Sequence, residues 1–336
     1  MSLSSVTAIA HPNLALVKYW GKRDAALNIP TNNSISINLG GLTTTTTVLF
    51  DSALVEDSVT LNGATARGTS HERVVQHLDR VRSLAGVGVR ARVDSRNDFP
   101  ASAGFASSAS GFAALSLAAT RAAGLDLDAT ALSRLARLGS GSACRSLHGG
   151  FVEWIAGDDD GSSQAEQLAP PEHWDLRVLS VVLSRDEKEL SSAGGHEAAP
   201  RSPLFEARLQ SLDTTLAQVR RAVRVRDLPA LLMATEREAV NMHAIAMTST
   251  VVDKPWWSGA FYWQPRTLQL IQAVQQWRGQ GVQVGFTIDA GANVHLLCAA
   301  GDEDAVAQRL LELPHGASTE ILVSAPGEGA RILADS

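Results

Sequence analysis

The stretch FPASAGFASSASGFAAL, residues 99–115, constrains this chain more than any other. It is a loop of small residues that runs straight into an Ala- and Leu-rich segment, residues 111–123, expected to be a helix. Gly104 allows a sharp turn and a close approach of backbone to ligand. Ser107, Ser108 and Ser110 place hydroxyls beside the free N–H groups of the helix's first turn, where the positive end of the helix dipole favours an anion. A turn that only caps a tightly packed helix would satisfy the same pattern. No Lys-Ser or Lys-Thr pair follows the glycine, so the loop is not a Walker loop.

Any anion site must be local, because the whole chain of 336 residues carries a net charge of −6, which does not invite nucleic acid or an anionic membrane. The length suits one large domain or two closely joined ones. Cys144 and Cys298 stand far apart in sequence, which excludes a disulfide framework and a clustered cysteine metal site and suits a reducing cytoplasm. The opening residues, MSLSSVTAIAHPNLALVKYW, lack a charged region followed by an apolar region of signal type. No run of 18 or more apolar residues occurs, so no membrane span is expected.

In chain order, residues 6–10 and 14–19 read as strands. The alternating residues 34–38 and the threonine-rich residues 42–50 read as two more, joined by Gly40-Gly41 into a hairpin. Residues 58–61 and Gly63 suggest a short hairpin edge. Residues 71–85 have helical spacing and stop at Gly86, and residues 87–93 alternate as a strand that leads to the central loop. Residues 129–138 form an amphipathic helix, followed by a second small-residue turn, residues 139–146. Strands are expected at 151–155 and 176–183, with an exposed loop at 157–163. Residues 187–203 read as a loop at the junction of two lobes. Helices are expected at 204–223, 228–247, 266–278 and 302–313, and strands at 282–288, 294–299 and 321–323. The aromatic-rich residues 255–265 suit packing better than a ligand cage.

Three features bear chemistry. Lys18, Lys22 and Arg23 crowd the end of an apolar run among Tyr19, Trp20 and Gly21, as a basic lip on a pocket or as a solvated strand end. Arg145 is embedded in small residues that cannot cover its stem, so its planar fork is aimed at a carboxylate or phosphate, of substrate or of the protein itself. Asp289 follows a strand and precedes Ala-Gly, the place of a site residue and equally of a turn former. An anion cradle, cations and one acid are what phosphoryl transfer requires, since its catalysis is mostly positioning and charge neutralisation.

The segments PNLALVKYWGKRD, NDFPASAGFASSASGFAAL, LGSGSACRSLHGGFVEW, MHAIAMT and FTIDAGANVHLL, in that order from about residue 8 to residue 300, resemble the motifs of the diphosphomevalonate decarboxylase family of the GHMP kinase superfamily. The resemblance implies an α+β, two-lobed GHMP kinase-like fold. A mixed α/β lobe, residues 1–186, would carry the ATP phosphate loop. A ferredoxin-like α/β lobe, residues 187–336, would carry the catalytic acid, and the active site would lie in the cleft between them. It implies use of ATP and Mg2+ to phosphorylate the tertiary hydroxyl of mevalonate 5-diphosphate, followed by loss of phosphate and CO2 to give isopentenyl diphosphate.

By the same resemblance, Asp289 matches the acid that takes the hydroxyl proton, Arg145 the arginine that holds the substrate carboxylate, and Lys18 the lysine near the reacting centre. Tyr19, Lys22, Ser140, Gly141 and Ser192 match positions lining the phosphate end of the substrate. Asn97, Gly104, Ser107 and Ser108 match the nucleotide side. Where diphosphate-specific members often have SSRDG or SSTQG, this chain has Ser191-Ser192-Ala193-Gly194-Gly195. SPLFEARL (202–209) and FYWQPRTL (261–268) look more like phosphomevalonate decarboxylases, whose substrate is the 5-monophosphate. Lys22, able to reach a second phosphate, favours the diphosphate; the monophosphate and a kinase that stops after phosphorylation are the alternatives. A homodimer in the cytoplasm is expected, with no nucleic acid or membrane partner.

Overall fold

The structure, a computed structural model, describes residues 5–100, 107–186, 190–251, 259–314, 316 and 319–333. Gly104 of the central loop therefore lies outside the described residues, as do residues 255–258 of the aromatic-rich segment. The helices are α1 (Gly68–Ala85), α2 (Ser107–Ala122), α3 (Ala129–Gly139), α4 (Ser192–Ala198), α5 (Phe205–Val225), α6 (Leu228–Thr248), α7 (Pro265–Gly279) and α8 (Glu303–Leu311). Local chemistry sets several of their ends. Gly86 closes α1 in the left-handed region at φ 65°. Asp128 and Asp227 cap α3 and α6 by accepting from backbone N–H groups three residues on.

The helices cover two sheets, the first mixed through its one parallel pair, Ser58–Leu61 with Arg90–Asn97, and the second antiparallel throughout. In the first, Arg331–Ile332, Val6–Ala10, Thr44–Asp51, Arg90–Asn97, Ser58–Leu61 and Ala64–Thr65 lie side by side in that order. Phe50, Val59 and Val93 on this sheet face Val74, Leu78, Phe112, Leu115 and Leu135 of α1, α2 and α3. In the second, the order is Gln164–Ala169, Phe151–Ile155, Ser34–Gly40, Glu320–Pro326, Leu176–Val182, Val294–Ala299 and Val284–Thr287, with Asn13–Val17 also paired to Ser34–Gly40. Leu14, Ile35, Ile37 and Phe151 of that sheet pack on Leu212, Leu216, Leu231 and Leu232 of α5 and α6. Leu179, Val284 and Leu296 pack on Leu270, Val274 and Leu310 of α7 and α8. Burying each such side chain contributes about 1.5–3 kcal/mol.

Three expectations are corrected. Strands Ser34–Gly40 and Thr44–Asp51 do not form a hairpin. The first pairs with Asn13–Val17, Phe151–Ile155 and Glu320–Pro326, the second with Val6–Ala10 and Arg90–Asn97. The turn between them, with Gly41 at φ 83°, carries the chain from one sheet to the other. The burial pattern gives the reason: residues 34–39 are buried at every position, as a strand covered on both faces must be, and have no solvent face to alternate with. Residues 192–201 are helical, not loop: Ser191 caps α4 by accepting from the Gly194 N–H, which overcomes the poor helix propensity of Gly194-Gly195, and a 3-10 turn follows. The second small-residue turn is a 3-10 helix, Gly141–Leu147, which buries Arg145.

Candidate active site

A cleft of about 790 Å3 opens where α2 begins. Five basic side chains line it, Lys18, Lys22, Arg73, Arg80 and Arg145, with Asp289 as the one carboxylate among the described residues. The positive charge gathered here is local, as an anion site on a chain of net charge −6 would have to be.

Asp289 stands just past the strand Val284–Thr287. Lys18 Nζ donates to Asp289 Oδ1 at 2.5 Å and to the Ala15 carbonyl at 3.1 Å. The lysine side chain is buried, whereas Asp289 keeps 26% of its surface open, so the pair is sealed on the lysine side and accessible on the acid side. The backbone of Lys18 is fixed by a buried ion pair between α5 and α6. Arg208 and Glu238 bind each other, Arg208 Nη2 donates to the Lys18 carbonyl at 2.7 Å, and Glu238 Oε1 accepts from the Lys18 N–H at 3.3 Å.

Arg145 is buried and has no carboxylate at ion-pair distance among the described residues. Its partners are neutral: Nε and Nη2 donate to Asn13 Oδ1 at 3.2 and 2.9 Å, and Nη1 donates to Ser34 Oγ. The protein has therefore oriented a buried cation without neutralising it, an arrangement complementary to an anionic ligand. Burial lowers the guanidinium's tendency to hold its proton, and neighbouring Tyr19 and Asp289 act in the opposite sense. The partly buried Tyr19 stacks on His196 at 4.3 Å and meets the edge of Trp154 at 4.8 Å. Burial pushes its hydroxyl up to about 12, so at neutral pH it remains a donor.

Lys22 lines the cleft, its ammonium donating to Asn28 Oδ1 at 2.6 Å. Desolvation first, and then Arg73, lowers its pKa, the condition under which a phosphate dianion restores the charge most strongly. Ser107 and Ser108 begin α2, and Ser108 Oγ lies 3.2 Å from Ser140 Oγ across the cleft. Ser140, Gly141 and Ser192 also line it. Asn97 does not: it ends the strand Arg90–Asn97 and accepts from Thr44 Oγ1 at 2.8 Å, with Thr44 in turn 2.6 Å from Ser110 of α2. The cleft thus gathers Lys18, Tyr19, Lys22, Ser107, Ser108, Ser140, Gly141, Arg145, Ser192 and Asp289 from five separate stretches.

Sequence reasoning missed Asn13, Arg73, Arg80 and His196. A signal for two of them existed. Thr69, Arg73, Gln76 and Arg80 recur at helical spacing on α1, opposite Val74, Leu78 and Val81, and all four line the cleft. Arg73 donates to the Gly139 carbonyl at 3.0 Å and lies 4.9 Å over the Phe112 ring.

Two family models cover most of the chain: the diphosphomevalonate decarboxylase-like N-terminal domain matches residues 10–165, and the mevalonate 5-diphosphate decarboxylase C-terminal domain matches residues 178–327. The chain belongs to the diphosphomevalonate decarboxylase family. It is 36% identical to diphosphomevalonate decarboxylase of Homo sapiens over 94% of this chain and 81% of that one. It is 35% identical to phosphomevalonate decarboxylase of Haloferax volcanii over 96% of each. Among solved structures, MDDEF in complex with MVAPP, AMPPCP and magnesium superposes with a TM-score of 0.90 at 36% identity, covering 98% of this chain and 99% of that chain. The α+β, GHMP kinase-like expectation is therefore that of a diphosphomevalonate decarboxylase, with the cleft where its strands and helices converge.

Proposed function

We propose that the protein converts mevalonate 5-diphosphate and ATP to isopentenyl diphosphate, ADP, phosphate and CO2. The observation that carries this reading is the cleft itself, five cations around one acid. The substrate presents a carboxylate, a tertiary 3-hydroxyl and a diphosphate, and the chemistry needs each handled separately. Asp289 accepts the hydroxyl proton as the 3-oxygen takes the terminal phosphoryl group of ATP and ADP leaves. A tertiary alcohol is a poor leaving group and its phosphate ester a good one. The carbon–carboxylate bond then breaks, its electron pair forms the double bond, and phosphate departs with the carbon–oxygen pair. Arg145 holds the carboxylate in its fork, and Lys18 orients Asp289 and balances charge at the reacting centre. Tyr19, Lys22, Ser140, Gly141 and Ser192 serve the diphosphate; Arg73 and Arg80 add positive charge on the α1 side.

On the nucleotide side, Ser107 and Ser108 serve the phosphates at the start of α2, with Gly104 in the same assignment, while Asn97, outside the cleft lining, acts on that helix through Thr44 and Ser110. Mg2+ fits this site. The described residues hold no cluster of three or more His, Cys, Asp or Glu, but this cation is ordinarily bound through substrate phosphates, waters and one or two protein oxygens, which the α2 hydroxyls supply. Ser107 and Ser108 would hold it with the triphosphate, and it would neutralise charge on the transferred group. The division of the chain into lobes near residue 186 belongs to the same reading. So does a homodimer, supported by the exposed Met233 and Val240 two turns apart on α6, and a cytoplasmic setting, supported by two buried free thiols. No helix among the described residues is long and apolar enough to cross a membrane.

CO2 release measured side by side with the 5-diphosphate and the 5-monophosphate tests the substrate. A kcat/KM at least about tenfold higher with the diphosphate is expected, the worth of one further charge-assisted contact. A preference for the monophosphate would replace this reading, and ADP without CO2 would reduce it to a kinase.

A further inference from the structure

His196 is a buried histidine that the chemistry above does not use, and it lines the cleft. It sits on α4, immediately after the segment that departs from the SSRDG and SSTQG patterns, and its ring is clamped. Tyr19 stacks on one side at 4.3 Å, and Trp20 lies tilted at 4.7 Å. Its Nδ1 accepts from the Gly21 N–H at 3.1 Å. Gly21 has a φ of 112°, so this amide is held in a conformation only glycine adopts easily, and it points at the imidazole. An imidazole whose Nδ1 accepts, and which stays neutral, must carry its proton on Nε2. Burial, followed by the charges of Lys22, Arg208 and Arg145, holds its pKa down to about 3, so it is neutral wherever the enzyme works. Among the described residues Nε2 has no hydrogen-bond partner, although the ring is only 7% exposed.

We propose that the Nε2–H of His196 is a substrate-binding donor to the 5-phosphate end of the phosphorylated mevalonate, its tautomer fixed by the Gly21 amide. The inference rests on the proposed function, since it assumes a phosphate-bearing substrate in this cleft. A neutral donor differs from the surrounding cations. It adds a directional contact without adding charge, and it discriminates by position, because the clamped ring cannot follow a misplaced phosphate as a lysine can. Its neighbours in the cleft are Lys22 and Ser192, already assigned to the same end of the substrate.

Two near-isosteric substitutions separate the atoms of the ring. The amide oxygen of His196→Asn reaches the place of Nδ1 and still accepts from Gly21, but nothing replaces Nε2. The amide of His196→Gln reaches the place of Nε2 and leaves the Gly21 N–H without its acceptor. In steady-state assays of CO2 release, His196→Asn should raise KM for mevalonate 5-diphosphate about tenfold or more, the worth of one hydrogen bond to a charged group. Its kcat, KM for ATP and melting temperature should remain near wild type, and His196→Gln should keep KM within about threefold. A purely structural role predicts the opposite order: His196→Asn near wild type, His196→Gln impaired in stability and in both KM values. Either that order or an unmoved KM in His196→Asn overturns the inference. A measurement on the unsubstituted enzyme needs no variant: nitrogen NMR of the histidine side chains should show His196 protonated at Nε2, with that proton moving downfield on addition of mevalonate 5-diphosphate alone. A proton on Nδ1, or an Nε2–H resonance unmoved by saturating ligand, overturns it equally. Failure of the unsubstituted enzyme to bind or decarboxylate the diphosphate would instead count against the proposed function, so the two failures are distinct.

Discussion

The contrast between Asp289 and Arg145 is one of partners. Asp289 is held by a cation and open on its far side, whereas Arg145 is held by two neutral groups, Asn13 and Ser34. An acid so placed faces the cleft beside a cation, so its removal should be felt in turnover before binding. Asp289→Asn keeps the shape of the side chain but cannot take a proton, and kcat should fall by about 10²–10⁴-fold with KM for both substrates changed little. Stopped-time assays of CO2 release against nucleotide binding by titration check this, and a kcat near wild type would refute the assignment. For Arg145 the geometry of the fork is the point. Arg145→Lys retains the charge but cannot reach Asn13 with two nitrogens and a carboxylate with the rest. A loss of at least about tenfold in kcat/KM is expected, about 1.4 kcal/mol of transition-state stabilisation. A lysine variant with wild-type kinetics would show that charge alone suffices there.

The helices differ in how far their work could be read in advance. The end of α1 at Gly86 and the extent of α3 follow from period and caps, as does the buried side of each, whereas α1 begins at Gly68, ahead of the expected residue 71 and without a side-chain cap. The function of α1 was hidden because Arg73 and Arg80 occupy the face that a single helix gives to solvent; only the cleft beyond it makes that face a wall. His196 was hidden for another reason: Gly194-Gly195 suppresses helix propensity, and the Ser191 cap that restores the helix is a local contact rather than a pattern. The signal for Arg145 was legible because the small residues around it offered no structural partner, and those for Lys18 and Asp289 because each stands at the end of an apolar strand-like run. Helices α5 and α6 have a role that only their packing reveals, since Arg208 and Glu238 clamp both the carbonyl and the N–H of Lys18. Nε and Nη1 of Arg208 find no partner among the described residues, so the pair carries a desolvation cost that its mutual attraction must offset. Glu238→Leu alone should destabilise by about 3–5 kcal/mol by stranding the guanidinium, and the double variant Arg208→Leu with Glu238→Leu should cost less than the single one. The double variant should remain slow even where it is folded, because Lys18 has lost its anchors. Urea unfolding of the three proteins, with kcat measured at a temperature where each is folded, decides between a clamp and a mere packing pair.

Across the molecule, four histidines among the described residues are buried in different layers: His77 on the inner face of α1, His196 in the cleft, His243 on α6 and His295 in the second sheet. Burial holds all four below their ordinary value, to about 3 for the first three and about 4 for His295. In each case the unfolded chain binds the proton first, so stability is fully present above about pH 6.5 and is lost as pH falls through the window down to 3–4. At pH 5.5 each group costs about 1.4 kcal/mol, and the four together on the order of 5 kcal/mol, comparable with the whole stability of a domain. The urea midpoint should therefore drop steeply between pH 7 and pH 5.5, with close to four protons taken up per molecule unfolded; a flat midpoint would mean these rings are accessible to water.

The strand Glu320–Pro326 lies between Ser34–Gly40 and Leu176–Val182, with Ala325 opposite Gly40. During synthesis the middle of the second sheet therefore waits for a segment that leaves the ribosome almost a whole chain after its first partner. Until then Leu176–Val182 presents an open edge rich in Leu and Val, and Leu39–Gly40 lies beyond the stretch that Asn13–Val17 covers, the kind of edge that pairs with a neighbouring polypeptide on a crowded polysome. The sheet therefore closes late, by inserting Glu320–Pro326 between strands that precede it by more than a hundred residues, and not by adding strands in chain order.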